Sequence, residues 1–418
     1  MHFFQIRSIP SFFKTFCSFF ERSAKDLKGI HPLQAFCTSM AGMFGIGNIV
    51  GVLIALQLGG PGALFWVWIA ALFGSIIKYA ETFLALKHRV PNNKGGYDGG
   101  PMYFLKEAFR KPWIPASVAG LFCIYGTDVY QFNVLTNCLS KTLDIPNWII
   151  MVGLLSSVLL GGLSGIKRVA KVCSLILPFF LLTYISMSLW IIVQEARLLP
   201  SIFTLVFKSA FQGHAALGGF AGSSVLLAIQ HGTARVAYSA DLGVGYTAIV
   251  QSESKTIYPE KQASLAVLGV FIDNFICTIS ILLVLITGFW TATPPIPTSE
   301  LVQSSLGEYF PYMSIFVPVF LLIAGYTTLI SYFCAGMKCA RFLSPKQGKK
   351  IYILYSALAF FIFSFFDQSA ALLVMSISGA LLLIINLIGI FYLRDQISFS
   401  KHSKKTVLKT GTHTVTPL

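Results

Sequence analysis

Long apolar runs separated by short polar and basic stretches set the first expectation for this chain. Runs of roughly 18 or more apolar residues mark membrane helices, and ten spans are predicted at 35–57, 62–86, 115–139, 148–165, 172–193, 211–237, 263–290, 312–337, 351–366 and 370–393. The first contains GMFGIGNIVGVLIALQL (42–58), closes on the turn Gly59-Gly60-Pro61-Gly62, and carries Gly45-Ile46-Gly47-Asn48 near its middle. Glycine costs a helix about 1 kcal/mol relative to alanine, and an asparagine amide needs a partner that lipid cannot supply. Irregular backbone at membrane depth is tolerated only where it is buried in protein or lines a cavity. A helix interrupted there offers free N–H groups on one half and free C=O groups on the other, suited to a carboxylate and a cation. The same glycines would equally serve close helix packing.

Composition fixes the class. Hydrophobic residues make up 55% of the 418 and charged residues only 11%, with a mean hydropathy of +0.73, whereas soluble domains carry about 25% charge. An all-α polytopic membrane protein is expected. The net charge of +15 would suggest nucleic acid in a soluble chain, but its distribution argues against that partner and for a lipid bilayer. The eight cysteines, 17, 37, 123, 138, 173, 277, 334 and 339, form no CxxC pair and no His-linked metal spacing, and read as apolar filler. Residues 1–34 alternate Phe with Arg7, Lys14, Arg22, Lys25 and Lys28. They read either as a basic amphipathic stretch on the cytoplasmic membrane surface or as a cytosolic helix against the protein.

Basic residues fall mainly in loops after even-numbered spans: Lys87, Arg89, Lys94, Arg110 and Lys111; Lys167, Arg168 and Lys171; Lys255 and Lys261; Lys338, Arg341, Lys346, Lys349 and Lys350. The tail 394–418 is again Lys-rich, while Lys141, Arg197 and Lys208 are the exceptions in odd loops. The positive-inside rule then puts both termini in the cytoplasm, which requires an even number of spans. Ten spans divide into two halves of five, 35–193 and 211–393, each inverting the other. Span 6 becomes the counterpart of span 1, and it holds Gly213 and Gly218-Gly219-Phe220-Ala221-Gly222-Ser223-Ser224. Paired interruptions at corresponding positions point to a transporter's central site.

The motifs also carry a resemblance. GIGNIVGV (45–52), the stretch 59–89, GGPMYF (99–104), Gln131-Phe132-Asn133, GTARVAYSADLG (232–243), LGVFIDN (268–274), TGFW (287–290), GMKCARFL (336–343) and INLIGIF (385–391) resemble the signature of the alanine or glycine:cation symporter family. The resemblance implies a leucine-transporter-type fold with two inverted five-helix repeats, in a bacterial cytoplasmic (inner) membrane. It also implies Na⁺-coupled movement of a small neutral amino acid, with no organic cofactor.

For individual residues, the resemblance implies that the substrate carboxylate meets the unwound backbone at Gly45, Ile46, Gly47 and Asn48. The Gln131 amide oxygen would accept from the substrate ammonium, and Phe132 and Phe220 would limit side-chain volume. The cation would take carbonyls of Gly47 and Val50 with the hydroxyls of Thr327 and Thr328, although a membrane threonine commonly bonds its own helix. Ser239 and Asp241 would help close a cytoplasmic gate, or simply structure a loop.

Departures from the family pattern shape the remaining expectations. Ile46 stands where a threonine is usual, Ser239-Ala240-Asp241-Leu242-Gly243 replaces SNEAG, Tyr332 stands for a tryptophan, and the family's first span would precede residue 1. Asp128 stands where asparagine is usual. An ionisable group inside a membrane helix is expensive and functional by default, so Asp128 is a candidate for the substrate ammonium, for neutralising the cation, or for carrying a proton. Asp273 reads more plainly as a helix-packing group. A hydrolase is disfavoured by the lack of a nucleophile–base set or HExxH, and an ATP-driven pump by the lack of a P-loop, so no enzyme is expected. The expected function is Na⁺-driven uptake of alanine or glycine by alternating access. The alternatives are H⁺-coupled transport of another small amino acid and a transporter-like sensor.

Overall fold

The computed structural model describes residues 29–93, 95–163, 165–212 and 225–399. The basic segment 1–28, the glycine cluster 213–224 with Phe220, and the tail 400–418 lie outside the described residues.

Apolar run and local capping together decide where each helix starts and stops. Span 1 is two helices, α1 (Pro32–Met43) and α2 (Gly51–Gly59), joined through a tight 3-10 turn at Ile46–Asn48 and bent by 57°. Span 2 is α3 (Ala63–Lys87), with Lys87 in its last turn where a cation complements the helix dipole. A two-stranded hairpin, β1 (Val90–Asn92) and β2 (Gly96–Asp98), and the short α4 (Pro101–Ala108) follow. Span 3 is also interrupted, as α5 (Trp113–Tyr125) and α6 (Val129–Leu143). Then come α7 (Asn147–Leu163), α8 (Ile166–Gln194) and α9 (Leu199–Gln212).

The second half continues with α10 (Val225–Ser239), α11 (Tyr246–Gln251), α12 (Pro259–Thr287), α13 (Thr298–Gly307), α14 (Met313–Leu343), α15 (Gly348–Phe363) and α16 (Gln368–Tyr392). Helix α12 starts on Pro259 with Glu260 in its first turn and ends on Gly288 at φ 74°, the proline-first, glycine-last arrangement that helix ends favour. Asp367 caps α16 by accepting from Ser369 N at 3.2 Å.

Among the described residues, five helices are long and apolar enough to cross a membrane, and six if the bent α1–α2 pair is one span. The other four predicted spans are helical but shorter or interrupted: α5 with α6, α7, α10 and α15. Buried share separates centre from rim. The apolar window is 72% buried in α12 and 61% in α14, against 25% in α8 and 33% in α16. Leu175, Phe179 and Val193 of α8 and Leu354 and Leu358 of α15 face outward, whereas Asn48, Lys78, Glu81, Asp128, Asp241 and Asp273 are inside. Apolar outside and polar inside is the arrangement for a lipid solvent.

Candidate substrate and cation site

At the first break the helical ladder stops and neighbouring elements take over its polar groups. Phe44 N donates to Met40 O at 2.7 Å, Gly45 is extended, and the chain re-enters helix through Ile46–Asn48. Ile46 N donates to the Gln131 amide oxygen at 3.2 Å. Gly45 has little choice of residue, since a Cβ there would strike the Gln131 and Thr328 side chains. Asn48 Nδ2 donates to Asp273 Oδ1 at 2.5 Å, and its Oδ1 is buried without a partner.

The interruption expected at 213–224 lies outside the described residues, and a described break follows just past the end of the predicted span 211–237. Residues 240–245 separate α10 from α11, with Asp241 at φ 49°, Gly243 at 67° and Gly245 at 112°, backbone conformations that glycine adopts freely and aspartate tolerates. Ser239 and Asp241, expected at a cytoplasmic gate, therefore sit at this break deep in the bundle. Ser239 Oγ donates to Asp273 Oδ2 at 3.0 Å, so one carboxylate, at the midpoint of α12, holds both breaks. Asp241 is fully buried and saturated: it accepts from Lys78 Nζ at 2.9 Å, Thr247 N at 2.7 Å and Tyr246 N at 3.3 Å. Its carboxylate caps α11, and Lys78 also donates to its carbonyl at 2.5 Å.

Span 3 is broken at 126–128, and Asp128, at φ 41°, caps α6. Its carboxylate accepts from Gln131 N at 3.2 Å, Gln131 Nε2 at 2.6 Å and Tyr238 OH at 3.3 Å. The Gln131 oxygen expected to meet an ammonium is thus engaged by Ile46, and the buried carboxylate of this corner belongs to Asp128. Phe132 is buried and stacks on Phe360 with ring centroids 4.4 Å apart.

The threonine pair separates by direction, because successive helical residues point about 100° apart. Thr327 Oγ1 bonds its own helix at Ala324 O, 2.9 Å. Thr328 Oγ1 faces Ala41 O at 2.8 Å, Ala324 O at 3.0 Å and Phe44 O at 3.4 Å. The carbonyls beside Thr328 are therefore those of Ala41 and Phe44, not Gly47 and Val50; Val50 O accepts from Leu53 N and Ile54 N in α2, and Gly47 faces Arg235. A cavity of about 20 Å³, room for about one water-sized sphere, adjoins Phe44, Gly45, Asn48 and Ala324.

A larger cavity of about 480 Å³ runs from the breaks toward Leu58 and Leu372, between α2, α10, α16 and the α5–α6 corner. Its polar lining includes Gln230, His231, Arg235, Tyr130 and Tyr238. The opposite end of the bundle, which carries the basic loops, is tied shut. Lys338 Nζ lies 2.8 Å from Glu253 Oε1 and 3.4 Å from Asp98 Oδ1, Glu253 Oε2 accepts from Tyr97 N at 3.0 Å, and Ile30 N donates to Glu253 O at 3.0 Å. Arg89 caps the carbonyls of Ser252, Ser254 and Thr256.

Sequence reasoning passed over Arg235 and Lys78 and underrated Asp273. The available signal was charge inside an apolar run, single for Arg235 and Asp273 and paired with Glu81 for Lys78, which membrane energetics flags on its own.

Solved structures share this architecture at low sequence identity. Mhp1, a nucleobase-cation-symport-1 family transporter, superposes with a TM-score of 0.58 at 12% identity, covering 90% of this chain and 82% of that one. This likeness shows the fold, the leucine-transporter type. The sodium/alanine symporter AgcS of Methanococcus maripaludis is 30% identical over 409 residues, covering 94% of this chain and 87% of the relative. The Bacillus subtilis protein described as a probable sodium/glutamine symporter, GlnT, is 29% identical over 383 residues, 89% of this chain and 78% of the relative. A family model for the sodium:alanine symporters matches residues 1–415. By that match over nearly its whole length, the chain belongs to the sodium:alanine symporter family, a family of transporters and not of enzymes.

Proposed function

We propose that this chain couples inward movement of Na⁺ to uptake of a small neutral amino acid, alanine or glycine, by alternating access. The observation that carries the reading is the meeting of two broken spans on Asp273, between an oxygen cluster and a cavity. Thr328 has one hydroxyl proton and three carbonyl oxygens around it, so the cluster has more acceptors than donors. A hard monovalent cation suits such an all-oxygen set, and binding there would tie α1 to α14. The substrate would bind across the first break, Asp128 and α10, with Gln131 holding Ile46 in place.

The two predicted repeats, 35–193 and 211–393, fit this reading because each contains a broken helix, α1–α2 in the first and α10–α11 in the second. Both termini would be cytoplasmic, with the Lys338–Glu253 closure at the inner end and the large cavity facing outward. One Na⁺ moving down 100 mV of potential supplies about 2.3 kcal/mol, about 40-fold accumulation of a neutral solute.

The test is uptake of labelled alanine and glycine into proteoliposomes under an inward gradient of Na⁺, of H⁺ or of neither. Accumulation under Na⁺ alone is expected. Accumulation under H⁺ alone would overturn the coupling ion and move attention to Asp128. Its absence under every gradient would overturn the transport reading and leave the sensor.

A further inference from the structure

Arg235 lies on α10 and is 7% exposed. Its Nε and Nη2 are both buried with no hydrogen-bond partner, and no ion pair involves it among the described residues. These two atoms form the side edge of the guanidinium fork, which matches the two oxygens of a carboxylate. A buried arginine without an acceptor is costly unless something else supplies one.

The surroundings point to what that acceptor is. A Cβ at Gly47 or Gly51 would collide with the guanidinium, so both glycines let the fork press against the first break. The Tyr238 ring lies under Cζ at 5.1 Å, and its hydroxyl donates to Asp128 at 3.3 Å. One tyrosine thus separates a cation from an anion, and both Arg235 and Tyr238 line the 480 Å³ cavity. An α-amino acid carries the complementary pair of charges. Meanwhile three of the four backbone donors expected for its carboxylate are engaged, Gly45 N by Met43 O, Ile46 N by Gln131 and Asn48 N by Gly45 O, and so is the Asn48 amide, by Asp273.

We propose that Arg235 is the carboxylate anchor of the substrate site, with Tyr238 positioning its guanidinium and Asp128 receiving the ammonium. This rests on the amino-acid reading above. It makes the free carboxylate the main requirement for a ligand, so that alaninamide, which keeps the ammonium and the methyl, is rejected.

The experiment measures competition against labelled alanine in proteoliposomes by alanine and by alaninamide, for the wild type, R235K and R235Q. In R235Q the affinity for alanine should fall about 30-fold or more, as for loss of one partner of a buried charge pair. Its affinity for alaninamide should change by less than about 3-fold, collapsing the discrimination between the two, while R235K recovers part of it. If Arg235 only balances the charge of Asp128 and Asp273, both affinities fall together and the ratio holds, which overturns the proposal. Should the variants not fold, phenylglyoxal modification of Arg235 in the wild type gives the answer by peptide mass mapping. Protection by alanine but not by alaninamide is expected, and equal modification in all cases overturns it. A wild type that transports no amino acid overturns the parent reading as well.

Discussion

Lys78 and Arg235 are two buried cations beside the second break, and their surroundings are opposite. Lys78 is wholly buried, ion-paired to Asp241 and bonded to its carbonyl, and Asp241 in turn caps α11. Arg235 is nearly as buried, yet Nε and Nη2 have no acceptor and the cavity reaches its side chain. The saturated pair belongs to the half of the bundle tied shut by Lys338, Glu253 and Arg89; the unsaturated one belongs to the half that is hollow. The two cations thus differ in whether the fold itself supplies an acceptor: Asp241 does so for Lys78, whereas Nε and Nη2 of Arg235 are left without one and border a cavity.

The largest effect that would break this contrast is loss of the saturated pair. Lys78→Met strands the Asp241 carboxylate, and should lower stability by about 3–5 kcal/mol, measured by thermal unfolding in detergent; a fold that survives unchanged would show that the pair is not structural. Glu253→Gln weakens the closure at the basic end and should favour the opposite-facing state by about 2 kcal/mol, as expected for losing a hydrogen-bonded charge. Increased thiol labelling of Cys37 from the basic-loop side would register the shift.

Thr328→Val removes the hydroxyl from the oxygen cluster and should raise the Na⁺ concentration for half-maximal uptake about ten-fold, on the scale of one lost hydrogen-bond-like contact. Unchanged Na⁺ dependence would locate the ion elsewhere. Asp128→Asn keeps an acceptor oxygen for Tyr238 OH and Gln131 N but turns the oxygen that accepts from Gln131 Nε2 into a donor and removes the charge, and should weaken amino-acid affinity by a similar factor. Unchanged affinity, cation dependence and pH dependence would remove Asp128 from function.

The smallest effect is at His88, past the end of α3. Burial holds its pKa below the usual 6.5, against the raising influence of its contact with Gln396 at 3.1 Å. A group that stays neutral in the fold stabilises it above its unfolded pKa and loses that contribution as pH falls through 6.5 toward the lower folded value. A shallow loss of thermal stability below about pH 6.5 is expected, flattened in His88→Gln.

The apolar runs made the membrane helices legible, and Gly45 to Asn48 revealed the first break because glycine and asparagine are costly in lipid. The described second break was not legible. Asp241 looks like a loop residue in isolation, and the lysine that buries it lies 163 positions earlier in the chain. Glycine density drew attention to 213–224, which lies outside the described residues. Thr327 and Thr328 could be identified as a pair, but only helix phase decides which one faces α1. The stacking of Phe132 on Phe360 joins residues 228 positions apart, a contact that no local pattern in the chain announces.

Asp273 holds Asn48 and Ser239 on its two oxygens, which makes the two broken helices a single coupled lever. Neither can swing independently without surrendering a charge-assisted hydrogen bond, worth about 1.5–3 kcal/mol. The carboxylate thus works as a detent: thermal jostling of one arm is resisted, while a load that engages both arms at once moves them together. By the same energy, the state with one arm moved alone is disfavoured by about 10- to 100-fold relative to joint movement.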